Sequence, residues 1–179
     1  ATSLFFTAKY SKDTIRGKSE LTVTGDLADK TSGLDKSYAT DWSYGVAETF
    51  SLLIPDAKGG GNAPIGNSEK VMKNVPSAMQ NDVANSDRYW GDQPFTAGPV
   101  YVGAFVLFLF ILGLFIVEGG LKWAMLVATV FSILLSWGKN FMPLTDFFLN
   151  YFPMYNKFRS VSSILVVAEI CIPILAAFS

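Results

Sequence analysis

Three cations in the C-terminal half could together bind a phosphate group. Lys157 and Arg159 lie in the stretch NYFPMYNKFRS, and Lys139 precedes them. A guanidinium binds phosphate oxygens in pairs, whereas an ammonium binds them as a point charge. Because apolar segments flank this stretch, we expect the phosphate to belong to a membrane lipid. The alternative is that Lys157 and Arg159 end a helix and extend toward the lipid headgroups.

Aromatic rings lie beside carboxylates at two places in the N-terminal half. Asp41, Trp42 and Glu48 form one group, and Trp90 and Asp92 form the other. Sugars are commonly held in this way, because rings cover their apolar C–H faces and carboxylates accept hydrogen bonds from their hydroxyl groups. These five residues are therefore candidate contacts for a sugar or an acceptor. The alternative is that the acids are solvated and the rings pack beneath a loop.

One further carboxylate, Glu169, falls near the centre of the last apolar run (residues 160–179). A carboxylate within a membrane helix is costly and usually faces a polar cavity or a partner helix. Both a structural hydrogen bond and a functional role fit this position.

The composition excludes several kinds of chemistry. The chain has 179 residues and no His, which removes His-based catalytic triads and the most frequent zinc ligand. The single cysteine, Cys171, lies in the apolar stretch EICIPIL, where a thiol behaves as a small apolar side chain. We expect no metal, no cofactor and no nucleic-acid partner.

The charges divide the chain into two parts. Of 14 basic and 15 acidic residues, seven lie beyond Gly98; these are Glu118, Lys122, Lys139, Asp146, Lys157, Arg159 and Glu169. We therefore expect a water-facing loop or cap over residues 1–97 and a membrane region over residues 98–179. The expected fold is mainly α, with about three transmembrane helices at residues 98–117, 121–137 and 160–179.

Along the connection over residues 138–159, aromatic residues recur at helical spacing. This pattern predicts an amphipathic helix at the membrane surface. Pro143 suits its first turn, and Pro153 is expected to end it. The turn at Glu118 to Gly120 makes the first two apolar helices a hairpin. The loop over residues 1–97 and the connection therefore lie on one side and can build one site.

Local patterns in the N-terminal part predict short elements. We expect a strand at Leu21 to Thr24 and short helices at Tyr38 to Tyr44 and Ala47 to Ile54. A weaker helix is expected over Ser68 to Val83, interrupted by Pro76. This mixed content favours a partly ordered, water-facing region.

Several strings in this order resemble one known family. They are TIRGKSELT, YATDWSYGVAET followed by LLIP, YWGDQPFTAGPVYVG, LLSWGKNF and PMYNKFRS. Together they are similar to the YfhO family of bacterial polytopic membrane proteins, which is similar to the GT-C class of glycosyltransferases. The resemblance covers nearly the whole chain.

The resemblance implies a function and a location. It implies transfer of a sugar from a polyprenyl-phosphate carrier to a cell-envelope polymer or glycan, in the bacterial cytoplasmic membrane, with the large loop outside. It also implies that the catalytic acid lies in an early external loop. Since the chain starts without Met and stops within an apolar run, we expect an internal piece that lacks this acid.

Three alternatives remain open from the sequence. The distribution of Lys and Arg, taken alone, places the large loop in the cytoplasm, opposite to the orientation that the resemblance implies and that we adopt. A non-enzymatic transporter or scaffold for lipid-linked sugars would carry the same cations. A soluble protein with a buried helical hairpin would need to be stable without detergent.

Overall fold

The computed structural model describes residues 33–61, 63–94 and 100–179, together with Phe5, Phe6, Lys9, Tyr10, Asp13 and Thr14. These parts of the chain are mainly helical and contain no strand, which confirms a mainly α fold. The predicted strand at Leu21 to Thr24 lies outside the described residues.

Short helices build the N-terminal part. Helix α1 (Lys36–Ala39) is shorter than predicted, because both the backbone N–H and the hydroxyl of Thr40 donate hydrogen bonds to the Lys36 carbonyl and close its last turn. A 3-10 helix follows at Val46–Leu52, close to the predicted second helix.

The weak helix predicted over Ser68 to Val83 is divided as expected. Helix α2 (Glu69–Met72) ends before Pro76, and helix α3 (Gln80–Ala84) starts after a short 3-10 turn. The proline interrupts the helix because it lacks an N–H donor and disfavours helical backbone at the residue before it.

Two apolar helices come next, joined by a turn at Glu118 to Gly120. Helix α4 (Ala104–Ile116) begins later than the predicted residue 98, because Gly103 has a φ of 107°, which a right-handed helix cannot accommodate. Helix α5 (Leu121–Ser136) agrees with the predicted 121–137. Its C-terminal boundary is set by Gly138, whose φ of 44° breaks the helical path.

The chain then turns sharply. A 3-10 turn at Gly138–Phe141 leads into helix α6 (Met142–Tyr151), and the segment Gly138–Tyr151 is bent by 108° from α5. Pro143 lies in the first turn of α6 and the helix ends before Pro153, as the sequence predicts.

The last helix is central to the packing. A 3-10 segment at Val161–Leu165 continues into helix α7 (Val166–Ala177), which packs against both α4 and α5. Their shared core contains Phe110 of α4 together with apolar residues of α7, namely Ala168, Ile172, Leu175 and Ala176. Glu169 lies in the first turn of α7.

None of the described helices is by itself both long and apolar enough to cross a membrane. Helix α5 and the bent segment Gly138–Tyr151 reach that length and hydropathy only when taken together. Helix α4 and the segment Val161–Ala177 are apolar but shorter.

Candidate functional site

The N-terminal part meets the three apolar helices at one end, where α5 finishes and α7 begins. The Tyr44 N–H donates a hydrogen bond to the Ser136 carbonyl at 2.8 Å, and the Ser162 N–H donates to the Trp42 carbonyl at 3.2 Å. Residues 42–44 therefore pass between the end of α5 and the segment that leads into α7. The Asn140 side chain also donates a hydrogen bond to the Tyr44 carbonyl at 3.0 Å, so the loop and the connection over residues 138–159 contact each other here and contribute to one surface.

A second contact holds the connection against α1. Leu34 and Ala39 pack with the buried Leu149 of α6, and Lys36 forms an ion pair with Asp146 at 2.8 Å. The pair is partly exposed, so it contributes little stability by itself, and the apolar contact supplies most of the attraction.

Arg159 is held by two aromatic side chains of the N-terminal part. Its guanidinium carbon lies 4.2 Å from the centre of the Trp42 ring and 5.7 Å from the centre of the Tyr38 ring. One guanidinium nitrogen also donates a hydrogen bond to the Tyr38 hydroxyl at 2.9 Å. A guanidinium within about 6 Å of a ring centre is attracted by the ring, so these contacts restrict the side chain while leaving other N–H donors for a ligand.

The same arginine lines a cavity of about 400 Å³. The walls combine the cation with hydroxyl groups and apolar side chains: Tyr155, Phe158, Arg159, Ser160, Val161, Ser163 and Ile164. This volume is within the range of about 300–1,000 Å³ that is usual for ligand sites. A cation and hydroxyl donors beside apolar walls suit a phosphate attached to a hydrocarbon chain.

The hydroxyl of Tyr155 is buried, and no hydrogen-bond partner for it is found among the described residues. Burial raises the pKa of Tyr155 to about 12, because the phenolate would lose its hydration. The hydroxyl is therefore neutral and protonated at physiological pH.

The three predicted phosphate-binding cations do not all line the cavity of about 400 Å³. Lys157 lies in the 3-10 turn Tyr155–Lys157 and does not line the cavity of Arg159. Partial burial lowers the pKa of Lys157. Lys139 lies instead beside the Asp92 carbonyl, at 3.5 Å, and its N–H donates a hydrogen bond to the Ser43 hydroxyl. Of the three, only Arg159 lines this cavity.

Glu48 is buried and held by a network of donors. Its carboxylate accepts hydrogen bonds from the Tyr89 hydroxyl, from the Gly45 N–H at 2.5 Å and from the Asp92 N–H at 3.5 Å. Tyr44, which is 1% exposed, donates to the Glu48 carbonyl. These contacts occupy the carboxylate, so Glu48 fixes the fold of the N-terminal part and is a poor candidate for contacting a sugar.

The other predicted sugar-contacting residues make different contacts, although Asp92 lies beside Glu48 through its backbone N–H. The Asp92 carboxylate accepts a hydrogen bond from the Asn140 side chain at 3.2 Å. Trp90 is 72% exposed, and its backbone N–H donates to the Lys58 carbonyl. Asp41 is half-buried in the turn after α1, next to Trp42. Of the five, Trp42 alone contacts Arg159 in the described structure.

Glu169 lines a second cavity, of about 180 Å³. Its carboxylate shares the walls with polar residues of the N-terminal part and of the segment before α7: Tyr44, Gln93, Ser162 and Ser163. Apolar side chains of Val100, Leu165 and Val166 complete the lining. Glu169 is exposed and lines this cavity, and among the described residues it forms no ion pair.

Sequence reasoning missed two important residues. Tyr38 belongs to the string YATDW, and its closeness in sequence to Trp42 was a usable signal, because helix α1 ends between them and the turn brings both rings to Arg159. Ser163 gave no signal, because an isolated serine near a helix start has many roles. The structure makes it important, since it lines both cavities.

Comparisons of this chain with protein families, with curated proteins and with solved structures give no match.

Proposed function

We propose that this chain is a membrane-embedded part of a GT-C-like bacterial protein and binds a polyprenyl-phosphate-linked sugar through Arg159. The phosphate would take the N–H donors of Arg159, the cavity beside it would accept the start of the lipid or the sugar, and the large loop would face outward. The observation that carries this proposal is the guanidinium stacked on Trp42 at the edge of a cavity of about 400 Å³.

Support for a membrane setting comes from the side chains on the outside of the apolar helices. Large apolar residues of α4 are highly exposed, for example Phe105 at 71% and Phe115 at 80%. Helix α5 shows the same arrangement, with Val127 at 65% and Trp123 at 59%. In water such a continuous apolar surface would be costly, whereas lipid covers it.

The helix contacts support the same setting. Three of the four buried residues of α5 carry hydroxyl groups, namely Thr129, Ser132 and Ser136, and the fourth is Leu135. Several larger side chains of the helix are exposed, among them Trp123, Val127 and Phe131. In α4, Gly113 allows close approach to the Leu175 carbonyl of α7. Small and hydroxyl-bearing residues at helix contacts are typical of membrane helices, which associate by close packing rather than by burial of apolar surface from water.

The helices are short for this role. The 13 residues of α4 span about 20 Å at 1.5 Å per residue, against a hydrocarbon thickness of about 30 Å. Local thinning of the bilayer accommodates a mismatch at a cost of a fraction of a kcal/mol for each Å. The proposal therefore places α4, α5 and α7 in a thinned bilayer and assigns the bent segment Gly138–Tyr151 to its surface.

The cavity lining favours binding over catalysis within these residues. A transferase needs a group that removes a proton from the acceptor hydroxyl. The residues that line the cavity of Arg159 include no carboxylate. Transfer would therefore require a carboxylate outside this cavity to act as the base. The second candidate function is a carrier or scaffold for lipid-linked sugars, without turnover.

Binding of a radiolabelled polyprenyl phosphate to the detergent-solubilised chain tests this proposal. Replacing Arg159 with Gln should weaken binding at least about tenfold, because a hydrogen bond to a charged group contributes roughly 1.5–3 kcal/mol. Arg88→Gln is the matched control, since it removes the same charge from an exposed loop position. Equal binding by the unaltered chain and both variants would exclude Arg159 as the phosphate ligand.

A second measurement, in the complete protein, distinguishes a sugar transferase from a carrier of lipid-linked sugars. Sugar transfer to a cell-envelope acceptor that disappears in Arg159→Gln supports the transferase. Retained exchange of the lipid without any transfer supports the carrier.

A further inference from the structure

Glu169 has an unusual environment for a carboxylate. It lies on α7 between the exposed apolar residues Val166 and Ile170, and the described part of the chain provides no ion pair for it. It nevertheless lies close enough to Tyr44 for its charge to add to the effect of burial in raising the pKa of that phenol. Within the described residues, no ion pair explains a carboxylate at this position.

The cavity that Glu169 lines offers several hydrogen-bonding groups at once. Besides Glu169, the lining includes Gln93, Ser162 and Ser163, whose side chains carry an amide and two hydroxyl groups. The Ser163 hydroxyl also donates a hydrogen bond to the Ser160 hydroxyl at 2.8 Å. None of these is cationic, so the lining does not suit a phosphate. Its volume of about 180 Å³ is below the usual range of about 300–1,000 Å³ for drug-sized ligands. The cavity therefore suits a small neutral ligand with several hydroxyl groups.

We propose that the cavity of Glu169 binds a single sugar ring, with the Glu169 carboxylate accepting hydrogen bonds from the sugar hydroxyls and Gln93 and Ser162 donating to its oxygens. The ligand class follows from the lining of this cavity alone. It goes beyond the phosphate site at Arg159, which is a separate cavity with a separate ligand.

The two cavities are neighbours, because Ser163 lines both. A sugar in the cavity of Glu169 would therefore lie next to whatever occupies the cavity of Arg159. If the proposed function holds, this arrangement positions a sugar acceptor, or the sugar of the bound donor, beside the lipid phosphate. That consequence rests on the proposed function, whereas sugar binding at Glu169 does not.

Saturation-transfer NMR on the detergent-solubilised chain tests the sugar site, with glucose, galactose and N-acetylglucosamine as probes. We expect binding of at least one probe, and Glu169→Ala should weaken it at least about tenfold by removing the charged acceptor. Glu169→Gln keeps the size and one acceptor oxygen, so it should retain part of the binding. Glu118→Ala, in the exposed turn between α4 and α5, is the control and should bind normally.

The same samples separate this inference from the phosphate site. Arg159→Gln should keep sugar binding while losing polyprenyl phosphate, and Glu169→Ala should do the reverse. Sugar binding lost in Glu169→Ala supports the inference even if no variant binds polyprenyl phosphate. No saturation transfer to the unaltered chain, or equal transfer to Glu169→Ala and the unaltered chain, would overturn it.

Discussion

The hydroxyl of Tyr89 donates a hydrogen bond to the buried carboxylate of Glu48, 41 residues earlier in the chain. The same hydroxyl accepts a hydrogen bond from the Gln93 N–H at 3.1 Å. Burial, and next the bond to Glu48, raise the pKa of Tyr89, so the phenol stays protonated and remains a donor at neutral pH. This contact ties the 3-10 helix Val46–Leu52 to the segment that leads toward the apolar helices.

Replacing Tyr89 with Phe should destabilise the N-terminal part. The change removes the donor to one carboxylate oxygen of Glu48 and the acceptor of the Gln93 N–H. Leaving such a buried group unpaired costs roughly 1–3 kcal/mol. We expect the melting temperature in detergent to fall by about 2–4 °C for each kcal/mol lost. Tyr151→Phe, at a ring that is 77% exposed, should leave it unchanged. Equal melting temperatures would show that the network does not limit stability.

Stability should fall at alkaline pH, partly through Tyr155. In the unfolded chain this phenol ionises near its ordinary pKa of 10.0, whereas burial raises the folded value to about 12. The contribution of Tyr155 to folding is therefore fully present below pH 10 and is lost as the pH rises toward 12, since only the unfolded state releases the proton in that interval.

Tyr155→Phe isolates that contribution. It should be nearly neutral or slightly stabilising at pH 7, because the buried hydroxyl has no partner among the described residues. Its free energy of unfolding should decline less steeply with pH above 10 than that of the unaltered chain. Tyr10→Phe, at an exposed ring, is the control. An identical alkaline decline in both variants would contradict the assignment to Tyr155.

The sequence predicted the bounds of α5 better than the start of α4, and the reason is physical. The bounds of α5 depend on local signals, namely a glycine turn before the helix and Gly138 after it. The sequence alone therefore predicts these bounds. The start of α4 was wrong because it depends on the positive φ of Gly103, and nothing in an unbroken apolar run shows which glycine adopts it.

The site depends on contacts between distant residues, which the sequence does not encode locally. Arg159 and Lys139 both lie in the connection that follows α5, yet residues 42–44 separate their surroundings: Trp42 contacts Arg159, and Ser43 contacts Lys139. The sequence predicts that Glu48 contacts a sugar, because aromatic residues lie beside it. The hydroxyl that donates to its carboxylate belongs to Tyr89, 41 residues later in the chain, so only the folded structure shows this contact.

The close contact between α4 and α7 gives a prediction about packing. A Cβ atom added at Gly113 would lie 3.1 Å from the Leu175 carbonyl oxygen and 3.2 Å from the Leu175 Cγ. Removing a mid-helix glycine favours the helix by about 1 kcal/mol, which offsets much of the crowding in Gly113→Ala. Gly113→Leu adds a larger side chain to the same space, where overpacking costs typically 1–3 kcal/mol.

We therefore expect Gly113→Leu to lower the melting temperature in detergent and Gly113→Ala to change it little. Ala124→Leu is the matched control, because it adds a leucine at an exposed position of α5. If Gly113→Leu melted like this control, the helices would not approach each other as described.

A charge on the outside of α5 distinguishes a membrane protein from a soluble one. Val127 is 65% exposed and lies near the middle of α5. In water, Val127→Asp should change stability by no more than about 0.5 kcal/mol, as surface substitutions usually do. In a bilayer the same carboxylate near the helix centre costs roughly 2.5–3.5 kcal/mol. We expect the second result, seen as a strong fall in the fraction of chain that resists alkaline extraction from membranes.

Ile54→Asp, at a position of the N-terminal part that is 52% exposed, should leave that fraction unchanged because water already contacts the side chain. Membrane-free recovery of both the unaltered chain and Val127→Asp would refute the membrane setting, since the exposed apolar surface of α4 and α5 would then be in contact with water.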